Sequence, residues 1–250
     1  MEANYQNKIE GELKAWQKKM VRRPSIAGRL SKSLQDKINS YIPKKIHKAI
    51  TTTIKQMVRA VLFGSKYTVA KNTRFNTIEE TEAAVLQKIG NYKKTAAVEG
   101  GITGAGGILL GLAEFPVLLG IKIKLLFDIA ATYGFDVKDY KERLYILYIF
   151  QLAFSSQQHR RATYEKIENW QQKSKQLPED IHAFDWQSFQ QEYRDYIDLA
   201  KMAQLIPGIG AVVGVVVNYQ LIKTLGNTAM NAYRMRLQDP NGRVALLDTK

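Results

Sequence analysis

The 250-residue chain contains no cysteine, which excludes disulfide bonds, thiolate metal sites and cysteine nucleophiles. Its three histidines, His47, His159 and His182, are far apart, and none has another histidine one helical turn away. A zinc site on a helix is therefore not expected. The chain also lacks a G-x-x-x-x-G-K-[ST] phosphate loop and a G-x-S-x-G nucleophile elbow. From these absences we predict no catalytic residue, no metal site and no cofactor.

Long apolar runs are missing as well. Residues 102–113 are apolar or small until Glu114 interrupts them, and residues 205–217 continue only to Asn218. A helix needs about 18 to 20 such residues to span a bilayer, so we favour two buried helices. A hairpin that enters one leaflet is the alternative. Residues 1–30 contain no apolar segment typical of a secretion signal, and we expect a cytoplasmic protein.

Acidic residues are scarce in the first third of the chain. Residues 1–75 contain 17 Lys/Arg and four Asp/Glu, whereas residues 76–250 contain 20 and 19, so nearly all of the formal net charge of +14 is local. Such an excess usually marks a surface that meets an anionic partner. The predicted helix of residues 43–62 carries five cations off its apolar stripe, Lys44, Lys45, Lys48, Lys55 and Arg59. We predict that these five side chains bind anionic membrane lipids.

Glycine is concentrated in two stretches, residues 97–120 and residues 205–218. Because glycine in a helix interior costs about 1 kcal/mol relative to alanine, we expect close approach of two helix backbones in return. Helical spacing places four glycines of the first stretch and two of the second on packing faces. These predicted packing residues are Gly100, Gly104, Gly107, Gly111, Gly210 and Gly214.

Helical patterns cover most of the remaining chain. Residues 3–21 have the spacing of an amphipathic basic helix. Thr77 and Glu80 have the spacing of a capping box at a helix start, and Gly134 is placed as a C-cap. Residues 155–186 are polar, and we predict that they lie outside the core.

No apolar–polar alternation is long enough to indicate a sheet. We therefore predict an all-α protein, a multi-helix bundle built around the two glycine-rich, closely packed apolar helices. The predicted divisions are a basic N-terminal extension over residues 1–40, a helical domain over residues 41–238 and a tail over residues 239–250.

Three acids, Glu99, Glu114 and Asp128, are closest to the apolar centre and form a candidate polar site. We predict a break at Glu114-Phe115-Pro116 with a new helix starting at Pro116. The negative charge of Glu114 would interact favourably with the dipole at the N-terminus of that helix. For Asp128 we predict an ion pair with Lys124. Buried carboxylates also serve as acids and bases, so a lipid-modifying enzyme that uses Glu114 or Asp128 as its acid or base is the alternative.

Three segments together resemble the EcsC family of bacterial proteins: GGITGAGG, AEFPVLLGIKIKLLFDIAATYG, and LIPGIGAVVGVVVNYQLIKTL with Ala229, Tyr233 and Arg234 after it. The resemblance covers residues 40–237, and it departs from the family at Glu114, where an aspartate is common. The family is named after a gene beside an ABC transporter, and no established enzymatic activity comes with it. The resemblance therefore implies a helical fold and an accessory role beside a membrane transporter.

From these observations we expect a non-enzymatic protein that is peripheral to the inner face of the cell membrane. Its expected partners are anionic membrane lipids and a membrane transporter or other membrane protein, with a lipid tail or partner helix accommodated in the glycine-rich core. Nucleic-acid binding by the basic segment is a further, less favoured alternative, because no recognition motif is present.

Overall fold

A computed structural model describes residues 2–22, 44–64, 75–103, 107–197 and 214–238. Within these ranges the chain forms nine α-helices and one 3₁₀ turn. Extended pairing there is limited to an isolated antiparallel bridge between Ser155 and Ile197. The prediction of an all-α bundle is therefore confirmed.

The helices follow one another in this order: α1 Glu2–Val21, α2 Lys44–Phe63, α3 Ile78–Thr103, α4 Gly107–Thr132, α5 Tyr140–Phe154, α6 Arg160–Ile167, α7 Trp170–Lys175, α8 Trp186–Tyr196 and α9 Gly214–Gln238. The 3₁₀ turn, Ile181–Ala183, lies between α7 and α8. None of the helices in the described ranges has the combination of length and apolarity that crossing a membrane requires.

The centre of the bundle is an antiparallel pair formed by α3 and α4. Their register is visible in two hydrogen bonds: the Tyr92 hydroxyl donates to Asp128 Oδ2 at 2.6 Å, and the Tyr133 hydroxyl donates to Glu82 Oε1 at 3.3 Å. Helix α9 packs against both helices, and α5 adds a fourth wall. Outside this centre, α2 lies against α4, α5 and α8, while α1 lies against α6 and α9.

Two local signals in the sequence fold as predicted. The Glu80 backbone N–H donates to Thr77 Oγ1 at 3.1 Å, and the Glu80 carboxylate accepts from the Thr77 N–H at 3.3 Å, which completes the capping box. Gly134 has a φ of 89°, and the Phe135 N–H donates to the Ala130 carbonyl at 3.1 Å. This geometry is a Schellman motif, so Gly134 ends α4 in the left-handed conformation that glycine favours.

The predicted helix break at Glu114-Phe115-Pro116 is wrong, because α4 continues through Pro116. A proline inside a helix costs about 3 kcal/mol locally. Phe115, Leu118 and Leu119 on the same helix are buried in the core. Since each such side chain contributes about 1.5 to 3 kcal/mol on burial, packing outweighs the local cost of Pro116.

The first glycine-rich stretch contributes to two helices rather than one. Because α3 ends at Thr103 and α4 begins at Gly107, Gly100 lies on a different helix from Gly111. Gly100 therefore does not share one helix face with Gly107 and Gly111, contrary to the prediction from their spacing. Gly104 and Gly210 lie outside the described residues, and Gly214 is the first residue of α9. That these six glycines serve close helix packing stays a prediction.

The polar segment of residues 155–186 is not an excursion from the core, and this prediction is also wrong. Tyr164, Ile167 and Trp170 are buried, at a spacing of three residues. The Trp170 ring lies 5.1 Å from the ring of Tyr145 on α5. A few large apolar side chains therefore hold this segment on the bundle although most of its residues are polar.

A close helix crossing in the described part of the chain lies at Gly226 of α9. A Cβ atom there would lie 2.6 Å from Cδ1 and 2.8 Å from Cγ1 of Ile89 on α3, well inside van der Waals contact. By contrast, a Cβ atom on Gly90, the next residue of α3, would meet nothing within 4 Å.

The two glycines make a matched pair for a stability test. Gly226→Ala and Gly90→Ala gain the same helix propensity, about 1 kcal/mol, and only Gly226→Ala overpacks the crossing. We expect Gly226→Ala to be less stable than Gly90→Ala by about 1 to 3 kcal/mol in chemical denaturation. Equal stabilities would show that the crossing is not tightly packed.

Candidate functional site

Helix α2 buries its apolar stripe and exposes a row of cations. The buried residues are Ile46, Ile50, Ile54, Met57, Val58 and Val61. Four of the five cations predicted to bind lipid are exposed, namely Lys45, Lys48, Lys55 and Arg59, whereas the side chain of Lys44 lies outside the described residues. No acid occurs on α2, and none of the four forms an ion pair with a described residue. We call these four side chains the basic face.

The C-terminal end of α2 is held by Arg143 of α5. Its Nη1 donates to the Leu62 carbonyl at 3.2 Å and to the Gly64 carbonyl at 3.0 Å, and its Nε donates to the Val137 carbonyl at 2.9 Å. A cation at this end of a helix satisfies carbonyls that lack intrahelical partners and interacts favourably with the helix dipole. The orientation of the basic face is therefore fixed by these hydrogen bonds from Arg143 as well as by burial of the apolar stripe of α2.

A cleft of about 230 Å³ separates α2 from α8 beside the basic face. Lys55 lines it from α2, and three glutamines and Tyr193 line it from α8. The Tyr193 hydroxyl is buried and has no hydrogen-bond partner among the described residues. Burial holds the pKa of Tyr193 well above its ordinary value, so this hydroxyl stays a neutral donor.

The three acids of the predicted polar site do not form one site. Asp128 lies 3.1 Å from the Lys124 ammonium, as predicted, and also accepts the hydrogen bond from Tyr92. Glu114 lies in the middle of α4, so its predicted role at a helix N-terminus is wrong. Asp128 lies fourteen positions after Glu114 on α4, a rise of about 21 Å along the helix axis at 1.5 Å per residue. The side chain of Glu99 lies outside the described residues.

A buried ion pair that the sequence analysis missed joins α3 to α9. Glu82 is fully buried and accepts two hydrogen bonds from Arg234, Nε to Oε1 and Nη2 to Oε2, both at 2.6 Å. The hydroxyls of Tyr5 and Tyr133 also donate to Glu82, and Glu12 of α1 lies 2.8 Å from Arg234. Burial alone would lower the pKa of Arg234, but the bonds to Glu82 hold it above its ordinary value.

A second buried ion pair joins α5 to α9. Arg236 Nη1 lies 2.5 Å from Glu142 Oε2, and the Tyr233 hydroxyl donates to Glu142 Oε1 at 2.7 Å. The guanidinium of Arg236 lies 3.9 Å from the centre of the Phe135 ring, within cation–π range. Tyr233 also stacks on Tyr133 at 5.4 Å, so the two ion pairs form one buried cluster.

Both buried carboxylates are occupied by arginine, which leaves neither of them free to act as a general base. The cluster is therefore a structural device that fixes how α9 lies against α3 and α5. A partial signal for it exists in the sequence, because Arg234 and Arg236 lie near the end of a helix that carries few other charges. Partners so distant along the chain cannot be assigned without the fold.

A cavity of about 610 Å³ lies next to this cluster. Helices α1 and α9 form most of its lining, and α3, α5 and α6 complete it. Arg234 lies in its wall, and Lys8, Lys19 and Arg160 are its other basic residues. We call it the α1–α9 cavity.

Comparison with known proteins identifies the family of the chain. The profile of the EcsC protein family matches residues 7–237. The chain belongs to the EcsC family. Protein EcsC of Bacillus subtilis strain 168 is 45% identical over 223 residues, which cover 89% of this chain and 92% of that protein. The uncharacterized protein YdbA of the same strain is 28% identical over 229 residues, 83% of each chain. No solved structure matches.

The EcsC family match begins in α1 and ends in α9. It therefore includes the basic face, the buried cluster and the α1–α9 cavity. Helix α1 therefore belongs to the matched region, which extends further toward the N-terminus than the resemblance over residues 40–237. Its apolar side chains Ile9, Leu13 and Met20 are buried against the bundle.

The Glu82–Arg234 pair can be tested by comparing single and double variants. Arg234→Met leaves the buried Glu82 carboxylate without its counter-charge, and we expect a loss of about 3 to 5 kcal/mol in the free energy of unfolding. Adding Glu82→Gln removes that charge, so the double variant should recover part of the loss. Chemical denaturation of the parent and the variants measures both effects. A double variant no more stable than Arg234→Met would contradict this account.

The buried tyrosines predict how stability depends on pH. Burial raises the pKa of Tyr133, Tyr145 and Tyr233 above the ordinary value of tyrosine, and burial with the bond to Glu82 raises the pKa of Tyr5 to about 12. Above about pH 10 the unfolded chain loses these protons while the folded protein keeps them. We therefore expect full stability below pH 10 and a steady loss above it, with tyrosinate absorbance appearing together with unfolding. Tyrosinate formation in the folded protein near pH 10 by these residues would contradict the prediction.

Proposed function

We propose that the protein associates reversibly with an anionic membrane surface through the basic face of α2. The observation that carries the proposal is the separation of roles on this helix. The apolar stripe is buried in the core, while the four cations of the basic face have no acidic partner in the described residues. Each cation near an anionic surface contributes about 1 kcal/mol, so four give weak, reversible attraction that further cations can strengthen.

The same reasoning favours the cytoplasmic face of the membrane, where anionic lipids create a negative surface potential. The absence of a membrane-crossing helix among the described residues is compatible with peripheral association. The EcsC family resemblance adds the hypothesis that the protein is accessory to a membrane transporter. A lipid tail or partner helix at the glycine-rich stretches remains part of the proposal.

Lipid modification by Glu114 and Asp128 is the less favoured function. The positions of Glu114 and Asp128 lie about 21 Å apart along the axis of α4, so the two acids cannot act together on one bond. Asp128 is further occupied by Lys124 and Tyr92. We therefore propose a binding protein rather than an enzyme. Nucleic-acid binding by the basic face ranks lower still, since no recognition motif accompanies it.

Charge reversal tests the membrane proposal. A variant with Lys45, Lys48, Lys55 and Arg59 changed to Glu keeps the apolar stripe and reverses the basic face. We expect it to stay folded and to lose co-sedimentation with vesicles of phosphatidylglycerol and phosphatidylcholine. Binding of the parent should require the anionic lipid and fall steeply with salt, because the Debye length shrinks from about 10 Å at 0.1 M to 3 Å at 1 M.

A matched control separates the basic face from net charge alone. Lys94, Lys138, Lys175 and Lys223 are exposed, and they have no ion-pair partner among the described residues. Changing these four to Glu alters the net charge by the same amount at other places. The control should keep most of the vesicle binding. Equal losses in both variants would mean that the basic face is not the contact, and binding that survives 1 M salt would instead indicate apolar insertion.

A further inference from the structure

Arg160 is a partly buried cation in the α1–α9 cavity, and no residue that the structure describes neutralises it. Its side chain makes no hydrogen bond or ion pair with a described residue, and burial is the one influence on its pKa, which it lowers. The arginines of the core differ, since Arg143, Arg234 and Arg236 all donate to oxygen atoms. Arg160 is therefore a partly desolvated guanidinium whose donors have no acceptor among the described residues.

The position of Arg160 on its helix adds a second cost. It is the first residue of α6, where the helix dipole favours negative charge and disfavours a cation. Neither helix formation nor packing explains a charged side chain at this end, facing a cavity and without a partner. A bound anion would compensate the side chain and the helix end together.

The net charge around the cavity is also positive. Lys8 and Lys19 of α1 also line it, and neither forms an ion pair with a described residue. Glu12 is the acid in the lining, and it is bound to Arg234 at 2.8 Å. Arg234 in turn is neutralised by Glu82 beneath it. The four cations Lys8, Lys19, Arg160 and Arg234 and the two acids Glu12 and Glu82 therefore leave a net charge of +2 at this cavity.

Apart from its charged residues, part of the lining is apolar and can contact a hydrocarbon chain, and the remainder is uncharged and polar, from Tyr5, Ser155, Thr224, Asn227, Thr228 and Asn231. Trp16, Met20, Leu152 and Met230 contribute apolar surface, and Leu86 is 53% exposed although it lines the cavity. The volume of about 610 Å³ lies within the range of roughly 300 to 1,000 Å³ that is typical of small-molecule sites. The cavity thus combines an unpaired cationic group with an apolar wall.

We propose that the α1–α9 cavity binds a single amphiphile whose head group is an anion, a phosphate monoester or a carboxylate. Arg160 binds the head group, since a guanidinium can donate two parallel hydrogen bonds to either anion. Lys8 and Lys19 add attraction at the rim, and the apolar wall holds the hydrocarbon part. This site is separate from the basic face of α2 and binds one molecule rather than a membrane surface.

Isothermal titration calorimetry with decyl phosphate, kept below its micelle concentration, tests the proposal on the full chain. Decanol carries the chain without the anion, and inorganic phosphate carries the anion without the chain. We expect decyl phosphate to bind with one site per chain and more tightly than either control. Decanol that binds equally well would overturn the role of the anion, and phosphate that binds equally well would overturn the role of the apolar wall.

Two neighbouring arginines give a matched pair of variants. Arg161 is exposed and pairs with Glu165 outside the cavity lining, so Arg161→Gln removes the same charge from the same helix. We expect Arg160→Gln to weaken decyl phosphate binding about tenfold or more, as loss of a charged hydrogen bond implies, and Arg161→Gln to change it by less than about threefold. Since Arg160 has no partner to lose, both variants should fold. Equal affinities of the two variants would overturn the site.

The charge-reversed α2 variant distinguishes this inference from the membrane proposal. It should bind decyl phosphate as tightly as the matched surface variant with the same net charge, although it loses vesicle binding. A selective loss of decyl phosphate binding in the α2 variant would place the amphiphile on the basic face and overturn the cavity site. Retention would support a separate site, whatever the result with vesicles.

Discussion

The bundle depends on the buried ion pair between Glu82 and Arg234. The pair joins residues 152 positions apart in the chain, and its second acid, Glu12, brings α1 to the same point. A buried charge that loses its partner is far more costly than the pair is favourable, so α1, α3 and α9 can meet in few other arrangements. The neighbouring pair of Arg236 and Glu142 applies the same constraint to α5. Charge complementarity inside the bundle thus sets the relative positions of helices whose apolar surfaces would tolerate several.

Acids inside the bundle are paired with cations, so cations that lack an acidic partner indicate where an anionic ligand could bind. Each buried carboxylate of the cluster is matched by an arginine, and Asp128 is matched by Lys124. Among the described residues, cations without an acidic partner occur at scattered surface lysines, and they also occur together in two places, the basic face of α2 and the α1–α9 cavity. Exposed lysines are solvated at little cost, whereas a partly buried guanidinium is not. This difference in desolvation is why the two places suggest different ligands, an extended anionic surface for the first and one enclosed anion for the second.

Helix α1 contributes side chains both to the buried ion-pair cluster and to the α1–α9 cavity. It places Tyr5 against Glu82 and Glu12 against Arg234, and so takes part in the internal cluster. On the side of the cavity it contributes Trp16 together with Lys8 and Lys19. A basic helix that the sequence assigns to an N-terminal extension is therefore also a wall of the candidate ligand site. Because one helix serves both purposes, the stability of the cluster and the shape of the cavity depend on the same contacts.

Local chemistry determined much of this protein from the sequence alone. The capping box of Thr77, the C-cap at Gly134 and the apolar stripe of α2 with its exposed cations all rest on residues within a few positions of one another. Tertiary structure decided the rest. Burial of its neighbours carries α4 through Pro116, and the partner of Glu82 lies on the last helix. The isolation of Arg160 depends on every element packed around it. Local preferences of about 1 kcal/mol are visible in a short stretch of sequence, whereas the burial and pairing that override them exist only once distant helices meet.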